Sequence, residues 1–171
     1  MTATAAAPAS EVAGFRHQAG IVHQVLRMNV EGFTHEESLI QPSPAGNCLN
    51  FVVGHLLWVY NNALAMLGQE GVMEPGALDR YARGAPPLTD PAEAIDLGTL
   101  MAAWDTACER VDAGLATLTP EFLDQHAPNS PTNNPDETNR TLLGTVFFHQ
   151  AYHSGQAGLL RRIAGKKGAI A

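Results

Sequence analysis

Apolar residues in this chain return every third or fourth position along four long stretches, and nowhere do they alternate as in a half-buried strand. That period constrains the fold more than any other feature. A helix carrying one apolar stripe must bury it against another element, and four such helices bury their stripes against one another. The first stretch runs from about Glu11 to about Phe33, with Ser10 as its expected N-cap and Val12, Phe15, Ala19, Val22, Leu26 and Asn29 on one face. The second starts at Asn47, a good N-cap, and runs to about Leu67, where Gly68 is placed to end it. Its inner face is Leu49, Val52, Val53, Leu56, Leu57, Tyr60 and Leu64. The third spans about Leu97 to Leu118 on Leu97, Leu100, Trp104, Cys108, Val111, Leu115 and Leu118. The fourth opens at Thr138 or Asn139 and ends at Gly165, with Leu142, Leu143, Val146, Phe147, Leu159, Leu160 and Ile163 as its core. The expected fold is all-α, a four-helix bundle forming one domain over residues 1–171, with residues 1–10 as a tail.

The segments between the helices read as breaks. Gln41-Pro42-Ser43-Pro44-Ala45-Gly46 cannot continue a helix, because each proline removes a donor and restricts its predecessor. This connection is short, so the first two helices are expected to be antiparallel. The stretch from Gln69 to about Leu97 is rich in Gly and Pro and long enough to cross the bundle. Within it, Asp90-Pro91-Ala92-Glu93 fits a short capped turn with Pro at N1 and Glu at N3. Residues 120–139 are polar and proline-bearing, and read as a loop.

Charge and cysteine content narrow the function. Seventeen acidic residues against ten basic ones give a formal charge of −7. A nucleic-acid binder needs a basic face. The one basic cluster, Arg161, Arg162, Lys166 and Lys167, closes the fourth helix, where cations complement the negative end of a helix dipole. Two cysteines, Cys48 and Cys108, both placed within helices, are too few for a secreted disulfide framework. The opening MTATAAAPAS is not a basic-then-apolar signal peptide, and no apolar run approaches the ~20 residues that span a bilayer. The expectation is a cytoplasmic protein with reduced thiols and neither nucleic acid nor membrane as partner.

Of seven histidines, three stand out. His149-Gln150-Ala151-Tyr152-His153 places two imidazoles four residues apart on one helix face, close enough to share one metal ion. Leu142, Val146 and Leu160 flank them on that face, so both rings are expected to point inward. Two imidazoles in an apolar interior are unfavourable unless their nitrogens find partners. His55 lies in the most apolar stretch of the chain, with Gly54 beside it to admit another backbone or a ligand. A single buried histidine is usually a satisfied core residue, but three on two helices of one bundle form a ligand set with a coordination position left open. His17 and His23 are read as core neighbours, and His35 and His126 as solvated. Trp58, Asn62, Tyr152 and Gln156 lie on or next to the same turns, and either line the site or pack the bundle. Neither histidine segment contains Asp or Glu, so no general base is evident.

Two of these segments resemble the DinB/YfiT-like superfamily of metal-binding four-helix bundles. Asn47-Cys48-Leu49-Asn50-Phe51-Val52-Val53-Gly54-His55-Leu56 is similar to that family's segment ending in Gly-His-Leu. His149-Gln150-Ala151-Tyr152-His153-Ser154-Gly155-Gln156 resembles its C-terminal His-x-x-x-His-x-Gly-Gln helix. The resemblance implies an up-down-down-up course with a long crossover between helices two and three. It implies a divalent ion, nickel or zinc, on His55, His149 and His153, and a homodimer. Family members include metal-dependent transferases and isomerases that use low-molecular-weight thiols such as mycothiol or bacillithiol. Two functions follow as expectations: such an enzyme acting on a small electrophile, or a non-catalytic metal-binding or stress-response protein in which the ion staples the helices.

Overall fold

The computed structural model describes residues 7–43 and 45–170. Four long helices carry the fold: α1 (Ala7–Val30), α3 (Leu49–Met66), α4 (Leu97–Leu115) and α6 (Asn139–Ile163), with short helices α2 (His35–Ser38) and α5 (Pro120–Leu123) between them. No strand forms among the described residues, and no helix there is long and apolar enough to cross a membrane. α1 packs against α6 and α4, and α3 packs against α4 and α6, so each long helix has two flanking neighbours. All seven residues expected on the inner face of α3 are buried.

The sequence explains most of the helix ends. Asp96 caps α4 by accepting from the Thr99 amide, and Thr138 caps α6 reciprocally with Thr141. Gly68 and Gly165 stop α3 and α6 in the left-handed conformation, at φ 68° and 78°, which a β-carbon disfavours. Asp90 accepts from the Ala92 amide as expected, while Glu93 pairs with Arg80 instead of closing a capping box.

Several expectations are corrected. α1 is already helical at Ala7, so Ser10 lies inside it and residues 7–10 of the expected tail are helical; residues 1–6 lie outside the described residues. Cys48, not Asn47, is the N-cap of α3, with no side-chain cap bond, so Cys48 precedes the helix. The loop after residue 119 opens with α5, capped by Thr119, and α2 forms on a Thr34–Glu37 capping box. Each is four residues long, too short to show a period. On α6 the buried face includes Gln150 and Ser154, whereas Leu159 and Ile163 are exposed. Gln150 turns inward by donating to the Leu56 carbonyl, and the small Ser154 sits where its backbone carbonyl accepts from Asn29 Nδ2. The basic cluster closes α6 as expected, with Arg161 and Arg162 in its last turn, and it also reaches the C-terminal end of α1. Arg161 donates to the Asn29 and Glu31 carbonyls, and Lys166 to the Gly32 carbonyl.

Candidate metal centre

α3 and α6 lie side by side, and their register is set by one bond: Gln150 Nε2 donates to the Leu56 carbonyl at 3.1 Å. The residues preceding that pair are His55 and His149, whose Nε2 atoms face each other at 3.1 Å. One turn further along α6, the His153 ring centroid lies 4.5 Å from that of His149 and 5.1 Å from that of His55. One ring nitrogen from each histidine falls within 4.8 Å of the others. The structure thus brings together all three histidines singled out in the sequence. Two nitrogens on one zinc ion, at bonds of ~2.0–2.1 Å and a tetrahedral angle, lie roughly 3.3 Å apart, so this cluster is close to ligating dimensions. No Asp or Glu shares it among the described residues.

What the other ring nitrogens do decides whether these rings can act as ligands. His55 Nδ1 donates to the Tyr81 carbonyl at 2.7 Å, which leaves the Nε2 lone pair free. His153 Nδ1 donates to Gln156 Oε1 at 2.8 Å, with the same consequence. His149 Nδ1 is buried without a protein partner. The His55 ring is nearly parallel to Phe51 at 6.1 Å and Trp58 at 5.9 Å, and these rings limit its rotation. Burial pushes His149 down to about 4, and the nearby charges of His153, His55 and Arg83 act in the same direction. Burial also lowers His55, against the Tyr81 carbonyl bond, which favours the protonated ring. Both imidazoles are therefore neutral at pH 7, the form that binds metal. The donor set fits a borderline divalent ion: three imidazoles, two of them oriented by an oxygen acceptor.

Tyr81, the residue that orients His55, was not legible in the sequence. It lies in the connection between α3 and α4, beneath Gly54. A β-carbon on Gly54 would come within 2.2 Å of the Tyr81 ring, so glycine is what admits the ring, and with it the carbonyl that holds His55. The Tyr81 hydroxyl donates to Asn50 Oδ1 and accepts from the Ile95 amide, while Asn50 Nδ2 donates to the Ile95 carbonyl. The one signal in the sequence was Gly54, read as a close-approach position for a backbone or a ligand; what approaches it is the side-chain ring of Tyr81.

The remaining candidates divide. Trp58 and Gln156 touch the cluster, and Tyr152 meets the His153 ring edge-on while largely exposed. Asn62 is exposed and donates to the Trp58 carbonyl, one step removed. His23 is a core neighbour: its Nε2 lies 3.1 Å from the Tyr60 hydroxyl and its ring stands edge-on to Tyr60 and Trp104. His17 is exposed on α1, contrary to the core reading. His35 is not simply solvated, since its Nδ1 accepts from the Leu97 amide at the start of α4. His126 is exposed, and both its nitrogens bond carbonyls, of Ala127 and Pro135.

Four long helices with three imidazoles converging between two of them define an all-α protein with a site able to hold a metal ion. The chain belongs to the DinB superfamily, whose family model matches residues 19–157. Among solved structures, a conserved protein from Enterococcus faecalis is similar over 89% of this chain and 96% of its own, with a TM-score of 0.68 and 18% identity, which shows a shared fold. No curated protein matches the chain.

Proposed function

We propose that His55, His149 and His153 ligate one divalent ion, nickel or zinc, and that the protein is a metal-dependent transferase or isomerase joining a low-molecular-weight thiol to a small electrophile. The observation that carries this reading is the division of labour within the rings: Nδ1 of His55 and of His153 is tied to an oxygen, and the Nε2 atoms of His55 and His149 face one another. Three protein ligands leave a position for water or substrate. A divalent ion held there lowers the pKa of a bound thiol or water and so supplies a nucleophile near neutral pH. The chain's own part is orientation. Tyr81 and Gln156 fix the ring tautomers, and the burial of His149 keeps it unprotonated.

The second reading, a non-catalytic metal-binding or stress-response protein, draws on one observation, the absence of any carboxylate from the cluster. Loading the protein with nickel or zinc and measuring the pKa of a bound thiol spectroscopically separates the two. A thiol that ionises at lower pH on the metal-loaded protein than free supports the enzyme, and an unchanged thiol pKa supports the second reading.

Three finer features accompany this reading. The up-down-down-up course is supported by pairs that run in the same order along α1 and α6 (Glu11 with Arg140, Asn29 with Ser154) and along α3 and α4 (Asn50 with Ile95, Tyr60 with Trp104). Pairs run in opposite order along α1 and α4 (Arg16 with Asp112, Arg27 with Asp105). A homodimer is supported by Phe148, Tyr152, Leu159 and Ile163, exposed large side chains that recur along one outer face of α6. Phe148→Asp should convert a dimer to the 18.2 kDa monomer in light scattering. A cytoplasmic setting and a single domain complete the proposal, supported by two free cysteines and by four long helices packed on a common core.

A further inference from the structure

A cavity of about 260 Å³ opens beside the histidine cluster, and His55 and His153 form part of its wall. Phe51 supplies an apolar surface, Asn47 a side-chain amide, and Arg83 the one charged group among its lining residues. The position of Arg83 contrasts with that of Arg80, three residues earlier. Arg80 is consumed by structure, donating to Glu93 and to the carbonyls of Pro86 and Pro87. Arg83 donates once, from Nη1 to the Pro131 carbonyl at 3.1 Å, and pairs with no carboxylate among the described residues. A carbonyl anchors a guanidinium without neutralising it, and the other N–H groups keep the fork that suits a planar anion. In a chain of net charge −7, a lone unpaired cation on the wall of a small cavity is a selective feature.

We propose that this cavity takes a small organic carboxylate, with the carboxylate on Arg83, the body of the molecule against Phe51 and its far end towards the histidine nitrogens. The assignment to carboxylate rather than phosphate follows from the charge of the metal-free cavity, where one arginine with no second cation in the lining balances a monoanion and leaves a dianion half-compensated. The volume sets the size at a few carbon atoms or a single ring, below the ~300–1,000 Å³ range of drug-sized pockets. The inference deepens the metal-site reading by naming the substrate class and rests on it for what happens at the histidine end.

The test is calorimetric titration of benzoate and of inorganic phosphate into zinc-loaded and chelated protein, with zinc per chain measured on the same samples. In the chelated protein benzoate should bind more tightly than phosphate. Arg83→Gln should weaken benzoate roughly tenfold to a hundredfold in both forms with zinc content unchanged, and Arg83→Lys should recover part of the loss. Ala85→Phe, which narrows the cavity while leaving Arg83 in place, should also weaken it. Benzoate affinity unmoved by Arg83→Gln or by Ala85→Phe, or phosphate bound more tightly than benzoate by the chelated protein, would overturn the proposal. Zinc absent from the wild type would overturn the metal reading instead, since the chelated arm still reads Arg83 directly.

Discussion

Two places in this molecule bury imidazole, and they differ in what the rings face. Beside Tyr60 and Trp104, whose rings are stacked 3° from parallel, His23 meets only aromatic edges and one hydroxyl. Between α3 and α6, three imidazoles meet one another, and two are turned by an oxygen so that a lone pair is left over. Burial lowers His23 to about 4, and His149 to the same figure, so neutrality alone does not distinguish packing from ligation. The difference lies in convergence. A ligand set needs several lone pairs aimed at one point, and here two of the three rings are held by their other nitrogen.

The comparison is broken most sharply by removing rings. His149→Ala or His153→Ala should remove most bound metal in elemental analysis, because two imidazoles no longer form a chelate, whereas His23→Phe, His35→Ala and His126→Ala should retain it. Wild-type metal content in both α6 variants would erase the distinction between the regions.

A second test uses acid. Native His23 takes its proton near 4 and the unfolded chain near 6.5, so between those values the unfolded state binds more protons. Stability is therefore full above about 6.5, falls as the pH drops through that window, and levels off below it, the loss from this ring approaching ~3 kcal/mol. Urea titrations of wild type and His23→Phe across the window should differ by that slope. Parallel pH curves for the two proteins would mean that His23 is not held neutral by its packing.

Gly54→Ala probes the support beneath the metal centre. Its new methyl meets the Tyr81 ring at 2.2 Å, so the fold should lose ~1–3 kcal/mol, and metal affinity should fall as the Tyr81 carbonyl moves away from His55. A melting temperature and metal affinity both equal to wild type would show that Tyr81 can move freely. The smallest expected effect is that of Gln156→Ala, which leaves the packing intact and weakens metal about tenfold through loss of the His153 bond.

Much of this was legible in the sequence, for reasons that also mark where legibility ends. The inner face of α3 could be read residue by residue because its burial is apolar throughout. α6 could be read only in part, since Gln150 takes a core position by donating to α3 and the small Ser154 another, where its backbone carbonyl accepts from Asn29 of α1, leaving Leu159 and Ile163 outside. The three site histidines were visible from spacing and apolar surroundings. Their orienting partners differ: Gln156 lies three residues from His153 on the same helix, within reach of a local reading. Tyr81 acts through its backbone carbonyl from 26 residues away, and a backbone atom leaves no mark on residue type. Arg83 was hidden likewise, because its position depends on how an irregular connection folds over α3.

The helices alone should form the fold, with the ion on the three histidines as an addition to it. Each helix has its own buried apolar stripe, and burying large side chains at roughly 1.5–3 kcal/mol each does not require a metal as a small zinc-dependent domain does. The direct measurement follows far-ultraviolet circular dichroism and melting of chelated protein while nickel or zinc is titrated back, with bound metal counted per chain, in wild type and in His55→Ala. The helical signal should stay intact after chelation, with one ion per chain on add-back to wild type. The melting temperature should rise with metal concentration, and His55→Ala should neither bind the ion nor unfold. Collapse of the helical signal on chelation at room temperature, or metal uptake by His55→Ala equal to that of wild type, would contradict it.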